Sequence, residues 1–199
     1  MGVTLDQVRK LRDKTSAGIL DCKKALAESD GDLVAAVEYL RKKGISKASK
    51  LVTRKAGEGL VHSYIHPGGR IGVLLEINCE TDFVARTDEF KTLVNDIALQ
   101  IAGNPPFAVN REDLSEELIE KEKEVYRSQA IEAGRPEKVI DKIIEGKLEK
   151  FYEDSCLMEQ AFVKDPDRKI GDLVKEFSGK VGENVVIRRF ARFQLGETA

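Results

Sequence analysis

An aromatic ring and a carboxylate stand side by side where a strand-like alternation ends, within Glu76-Ile77-Asn78-Cys79-Glu80-Thr81-Asp82-Phe83-Val84-Ala85-Arg86. A passive loop is a poor place for this pair. The ring is costly to leave in water, and the carboxylate resists burial without a partner. A tip pushed into another molecule uses both. On local grounds a plainer role stays open, in which Phe83 covers its own core and Asp82 begins a helix. Other chemistry is sparse. The only histidines are His62 and His66. A thiol site at Cys79 with His62 as its base across a hairpin is the one nucleophile pairing the sequence offers, and it is the weaker account of this stretch. The chain has no G-x-x-x-x-G-K-S/T loop, no G-x-G-x-x-G fingerprint, no H-E-x-x-H and no G-x-S-x-G elbow. Gly68-Gly69-Arg70-Ile71-Gly72 precedes a strand, where a phosphate cradle needs a helix. A binding protein is expected, with no catalytic residue, metal or cofactor.

The elements that must position this tip are legible from periodicity. Thr4 with Gln7 reads as a capping box opening a helix from about Leu5 to Lys14, with Leu5, Val8 and Leu11 on one face. Thr15-Ser16-Ala17-Gly18 is a turn. A second helix has Ile19, Cys22 and Leu26 inward. Ser29-Asp30-Gly31-Asp32 turns the chain and caps a third helix, which carries Leu33, Val37 and Leu40 and is expected to stop at Gly44. Residues 45–55 read as a polar linker. Two alternating strands follow, 59–65 and 70–78, joined by His66-Pro67-Gly68-Gly69. Ile71, Val73, Leu75 and Ile77 share a face. A helix after Thr87 turns Phe90, Leu93, Val94, Ile97, Ala98 and Ile101 inward and ends at Asn104-Pro105-Pro106.

Residues 114–154 read as two antiparallel helices joined at Ala133-Gly134-Arg135-Pro136. Leu118, Val125 and Tyr126 mark one apolar stripe. Val139, Ile140, Ile143, Ile144, Leu148 and Phe151 mark the other. A short strand is expected within 157–163, a short helix over 170–177 and a long strand over 184–195. In that strand Val185, Ile187, Ala191, Phe193 and Leu195 share a face, with Val186 and Phe190 opposite. The fold class is α+β. A helical N-terminal module with its linker (1–55) precedes a core (56–199) that has a small antiparallel sheet, packed helices and a protruding helical hairpin at about 114–154. A sheet of three main strands, apolar on both faces, presents more surface than one helical layer covers. Pairing with a second copy and covering by the chain's own helices are the two solutions.

Composition bounds the function further. The 199 residues are 41% hydrophobic and 34% charged, which describes a globular chain with a well-solvated surface. No apolar run approaches the ~18 residues of a membrane span, and charges occupy the place of a signal peptide's apolar core. Cys22, Cys79 and Cys156 are odd in number and far apart, which argues against a disulfide framework or zinc site and fits a reducing cytoplasm. Net charge is −2, but residues 1–55 carry 13 Lys/Arg against 7 Asp/Glu, while 112–154 carry 8 against 14. A basic head fits nucleic acid and an acidic partner protein equally, and an ordinary solvated charge distribution is the plainer reading. The head carries one aromatic, Tyr39, and no stacking motif for RNA.

Two long motifs carry a resemblance to a known family. The first is Leu11-Arg12-Asp13-Lys14-Thr15-Ser16-Ala17-Gly18-Ile19-Leu20-Asp21-Cys22-Lys23-Lys24-Ala25-Leu26 and the second is the Glu76–Arg86 stretch. Together, and with His66 to Gly72, Pro136 to Phe151 and Lys180 to Arg189, they resemble the bacterial translation elongation factor Ts family in its short form, with one core sheet unit. The resemblance implies a guanine nucleotide exchange factor for elongation factor Tu, acting on the GDP-bound and nucleotide-free forms in the cytoplasm. It implies a ubiquitin-associated-like N-terminal module that docks through Thr15, Ser16, Ala17, Gly18 and Ile19. It also implies a wedge at Thr81, Asp82, Phe83 and Val84 acting near the magnesium site, a second contact at His66, and a third at Val181 and Gly182 near the phosphate-binding loop. Short forms work as dimers, so a homodimer is expected, with no direct nucleic-acid or membrane contact. Two rivals from other classes remain distinct: an RNA- or ribosome-associated module using the basic head, and a scaffold dimer working through the acidic hairpin.

Overall fold

The computed structural model describes residues 3–15 and 17–197; Ser16 of the expected docking turn lies outside the described residues. In chain order the elements are α1 (Leu5–Thr15), α2 (Ile19–Glu28), α3 (Leu33–Ala48), β1 (Glu58–Ile65), β2 (Ile71–Cys79), α4 (Asp82–Ala85) and α5 (Asp88–Gly103). There follow α6 (Glu116–Glu132), α7 (Glu137–Ser155), β3 (Ala161–Phe162), β4 (Asp165–Lys169), α8 (Ile170–Val181) and β5 (Val186–Gln194). This is the expected α+β class. The chain groups into two compact units. One holds the described residues up to Gly59 with Asn78–Thr87 and Asp172–Val186. The other holds Leu60–Ile77, Asp88–Gly171 and the described residues from Ile187 on.

In the first unit, α1 opens with the expected reciprocal box. Gln7 N donates to Thr4 Oγ1 at 3.3 Å, and Thr4 N donates to Gln7 Oε1 at 3.0 Å. Asp32 caps α3, accepting from Val34 N and Ala35 N at 2.7 and 3.0 Å. Val8, Leu11, Cys22, Ala25, Leu26 and Ala36 form the core of the three helices. Two residues expected inward are not. Leu5 is 88% exposed and Ile19 is 56% exposed, each in the first turn of its helix.

Gly44 does not end α3, which runs on to Ala48. The glycine that the helix approach here requires is Gly179, on the facing helix. A Cβ built on Gly179 of α8 would lie 2.7 Å from Gly44 Cα and closer still to Gly44 O. Two helix backbones pass at van der Waals distance at this point. Nor are residues 45–55 a solvated linker, since Ala48 and Leu51 are buried.

In the second unit the strand order is β1-β2-β5. His66 N donates to Ile71 O and Gly69 N to His66 O, both at 2.9 Å, closing the β1–β2 turn. At the other edge Leu195 N donates to Arg70 O at 2.8 Å, pairing the end of β5 with the start of β2, so all three strands are antiparallel. Val73, Leu75 and Ile77 are buried on one face, as are all six apolar residues expected to face inward on α5. The shared-face reading of the last strand holds only in part. Val185 and Ile187 are buried, but Ala191, Phe193 and Leu195 are exposed. Alternation decides which side chains share a face, not what covers that face along its length.

The hairpin forms as expected from α6 and α7. Ala130, Ile140, Ile144 and Leu148 make its core, and Val125 and Val139 lie outside it. Its base is fixed by Arg111. The guanidinium donates to both Glu149 oxygens at 2.8 Å and to Glu159, and it lies 4.4 Å from the Tyr152 ring centre. The strand expected over 157–163 shrinks to Ala161–Phe162, which pairs with β4. No alternation signals β4, Asp165-Pro166-Asp167-Arg168-Lys169. The ribbon is held from α5 by the fully buried Gln100, which donates to Ala161 O at 3.1 Å and accepts from Val163 N at 2.8 Å.

Candidate functional site

Strand β2 ends at Cys79, and the chain turns at once into α4, a single helical turn. Thr81 has the extended backbone of an N-cap, and its Oγ1 accepts from Val84 N at 3.5 Å. Asp82 therefore does begin a helix, and it pairs with Arg86 at 2.8 Å. Phe83 does not cover its own core: the ring is 78% exposed. Val84 is half-buried and Ala85 buried, so the turn is anchored beneath while its ring points outward.

The backbone entering this turn is held by the Glu183 carboxylate. Glu80 N and Thr81 N donate to Glu183 Oε2 at 3.1 and 3.0 Å, and Thr81 Oγ1 donates to Glu183 Oε1 at 2.6 Å. In return Asn184 N donates to Glu80 Oε1 at 2.7 Å. These bonds join the tip to the Val181-Gly182 turn, two of the segments singled out in the sequence. Gly182 ends α8 with φ +76° and donates its N–H to Ser178 O at 2.8 Å, a conformation that favours glycine. Its outer face is open, with no atom within 4 Å of a built Cβ. Asn184 ties the same turn to residues 52 and 54, donating to Val52 O at 3.3 Å and Arg54 O at 2.8 Å.

Cys79 offers no nucleophile. Burial pushes its thiol up to about 11, and Sγ donates to Thr81 O at 3.1 Å, so the thiol supports the tip as a neutral donor. Among the described residues no group of three or more His, Cys, Asp or Glu is placed to hold a metal, and no helix is long and apolar enough to cross a membrane.

The described residues of the turn expected to dock a partner, Thr15 and Ala17 to Ile19, lie in the same unit. Thr15 Oγ1 donates to Leu11 O at 2.8 Å and accepts from Ala17 N at 3.3 Å. Gly18 is the N-cap of α2, and Ile19 and Leu20 project into solvent beside it. Asp21, one turn on, is held below the usual carboxylate range by the Lys43 ammonium at 2.6 Å. His66 belongs to the other unit. It is half-buried at the β1–β2 turn, with Nδ1 3.0 Å from Tyr64 Oη. Sequence reasoning missed the supporting set of Glu80, Glu183, Asn184 and Arg54. Each is polar beside a turn, and nothing local separates such a residue from a solvated one.

A sequence model described as Elongation factor TS matches residues 36–197. The chain belongs to the elongation factor Ts family. It is 56% identical over 190 residues to Elongation factor Ts of Moorella thermoacetica, covering 96% of this chain and 94% of that protein. It is 57% identical over 197 residues to Elongation factor Ts of Geobacter sulfurreducens, covering 99% and 91%. With Elongation factor Ts of Caldanaerobacter subterraneus it shares 52% over 195 residues, covering 98% of each. The family match begins inside α3, but these relatives extend the likeness through α1 and α2.

Proposed function

We propose that this protein is a guanine nucleotide exchange factor for elongation factor Tu, acting in the cytoplasm during translation elongation, and that it is a binding protein rather than an enzyme. The observation that carries the reading is the Phe83 ring, presented outward on an anchored turn beside Asp82. A large ring left in solvent on a rigid support is the form of a buried anchor awaiting its pocket. The tip enters the GTPase near its magnesium site, and Val181-Gly182 brings backbone close to the phosphate-binding loop. Thr15 to Ile19 docks the N-terminal module, and His66 makes a separate contact.

The mechanism follows from linkage. A factor that binds the nucleotide-free GTPase better than the loaded one weakens nucleotide by the same factor that nucleotide weakens it. Displacing groups around the metal removes the charge that screens the phosphates, and GDP leaves. Release of a fluorescent GDP analogue from purified elongation factor Tu tests this directly. Substoichiometric amounts should accelerate it. A folded sample that leaves the rate unchanged with its cognate GTPase would remove the reading. An anchor worth ~2 kcal/mol gives Phe83→Ala a loss of roughly 30-fold in exchange efficiency. A variant as fast as the parent would take the ring out of the mechanism.

A homodimer is the second part of the proposal. One face of the three-stranded sheet carries Val61, Ile65, Leu74, Phe193 and Leu195, all exposed. Ile65 lies across Gly72, 3.2 Å from where a Cβ would stand, which flattens that face. A second copy supplying the same surface buries it isologously.

A further inference from the structure

We propose that Glu183 is the positioning residue of the Asp82–Phe83 tip, fixing the backbone from which the ring is presented. This rests on the exchange reading above. Phe83 makes no core of its own, so its direction depends on the backbone that leads into it. That backbone is held at consecutive residues by one side chain. Glu183 accepts from Glu80 N, Thr81 N and Thr81 Oγ1, three donors on one carboxylate. The side chain is only partly exposed, so these bonds are sheltered from competing water.

Glu183 is itself immobilised on both sides. Gly182 sets the chain direction before it, and Asn184 is pinned to residues 52 and 54 after it. Next, Val185 N donates to the buried Ser178 Oγ at 2.9 Å. The return bond from Asn184 N to Glu80 closes a two-way clamp, with Arg54 3.6 Å from the Glu80 carboxylate. A tip held in this way loses little freedom on docking, and the ring arrives in one orientation. Glu183 touches neither nucleotide nor metal in this account. It acts through Thr81 on Phe83.

The test is GDP-analogue release from elongation factor Tu, with the full chain titrated until the rate saturates. The parent, Glu183→Ala, Glu183→Gln, Phe83→Ala and the double variant Glu183→Ala/Phe83→Ala are compared. Glu183→Ala should lower the saturating rate on the order of tenfold or more, with helix content retained. Glu183→Gln should recover most of that rate: its amide oxygen accepts the two backbone N–H groups, and its NH2 donates to Thr81 Oγ1. The double variant should be slower than Phe83→Ala by much less than the factor Glu183→Ala costs alone, because most of what Glu183 does passes through that ring. A parental rate in Glu183→Ala beside a slow Phe83→Ala overturns the inference and leaves the exchange reading standing. So does a double variant whose losses multiply. No acceleration by the parent removes the exchange reading itself. If Glu183→Ala fails to fold, Glu183→Asp, which draws the carboxylate back from Thr81 by one methylene while keeping its charge and the α4 cap, carries the same comparison.

Discussion

Single residues here reveal their roles through what they are bonded to more than through what they are. Cys79 looks reactive on paper, yet it is a buried donor to the tip. Burial raises its thiol to about 11, and that of Cys156 to about 11 as well. An unfolded thiol ionises near ~8.5. The folded state therefore keeps these protons over a range in which the unfolded chain loses them. The stability they contribute is complete below the unfolded value and is lost as pH rises through about 11. Denaturant midpoints should fall between pH 8 and 10.5, and fall less in Cys79→Ala. A thiol reagent at neutral pH should label no cysteine until the chain unfolds, since all three are buried. Rapid native labelling of Cys79 would contradict this burial. Glu183 makes the complementary point: a carboxylate that reads as surface charge accepts three hydrogen bonds.

At the scale of elements, close approach and anchoring decide more than propensity does. Gly44 and Gly179 are both helical glycines, but only one is sterically closed. Gly179→Ala drives a methyl into the Gly44 backbone and should cost about 3 kcal/mol, at the upper end of overpacking. A Cβ on Gly44 meets Glu176 O at 3.7 Å, an ordinary contact, and Gly44→Ala gains helix propensity, so it should be neutral or stabilising. Urea unfolding of the two variants checks the asymmetry; equal effects would show that the helices do not cross this closely. The hairpin base is a charge cluster on Arg111. The guanidinium holds Glu159 below the usual carboxylate range. That contribution is present above the ordinary glutamate value of 4.5 and is lost as pH falls through the depressed folded one. Amide exchange in α6 and α7 should speed up between pH 4.5 and 3 beyond its intrinsic trend, and Arg111→Ala should show the faster exchange at neutral pH.

For the whole molecule, the exposed sheet face predicts concentration dependence. Phe193 is 72% exposed on a face shared with other apolar side chains. Phe193→Asp places a charge there and should give a monomer by sedimentation with unchanged helix content, while the parent associates. A parent that stays monomeric at high concentration would leave that face to some other covering. The grouping of the chain is likewise a property of the whole. Asn78–Thr87 and Asp172–Val186, far apart in sequence, join the N-terminal helices in one unit, and the clamp between Glu80 and Glu183 lies within it.

By itself the sequence determined what periodicity and local hydrogen bonding control. The capping box at Thr4, the inward face of α5, the two helices of the hairpin and the turn at His66-Pro67-Gly68-Gly69 all follow from residues within a few positions of one another. The tip at Asp82-Phe83 was legible for the same reason, as an aromatic and an acid at a strand end. Only the tertiary structure showed that α3 continues through Gly44 to Ala48, where the α8 backbone packs against it from more than a hundred residues away. Only it decided that Phe193 and Leu195 stay exposed while Ile187 on the same strand is buried, since alternation says nothing about cover. The support of the tip was hidden for that reason too. Glu183 is a polar residue after a glycine until the fold brings Thr81 within hydrogen-bonding distance, and no local pattern encodes a contact across a hundred residues.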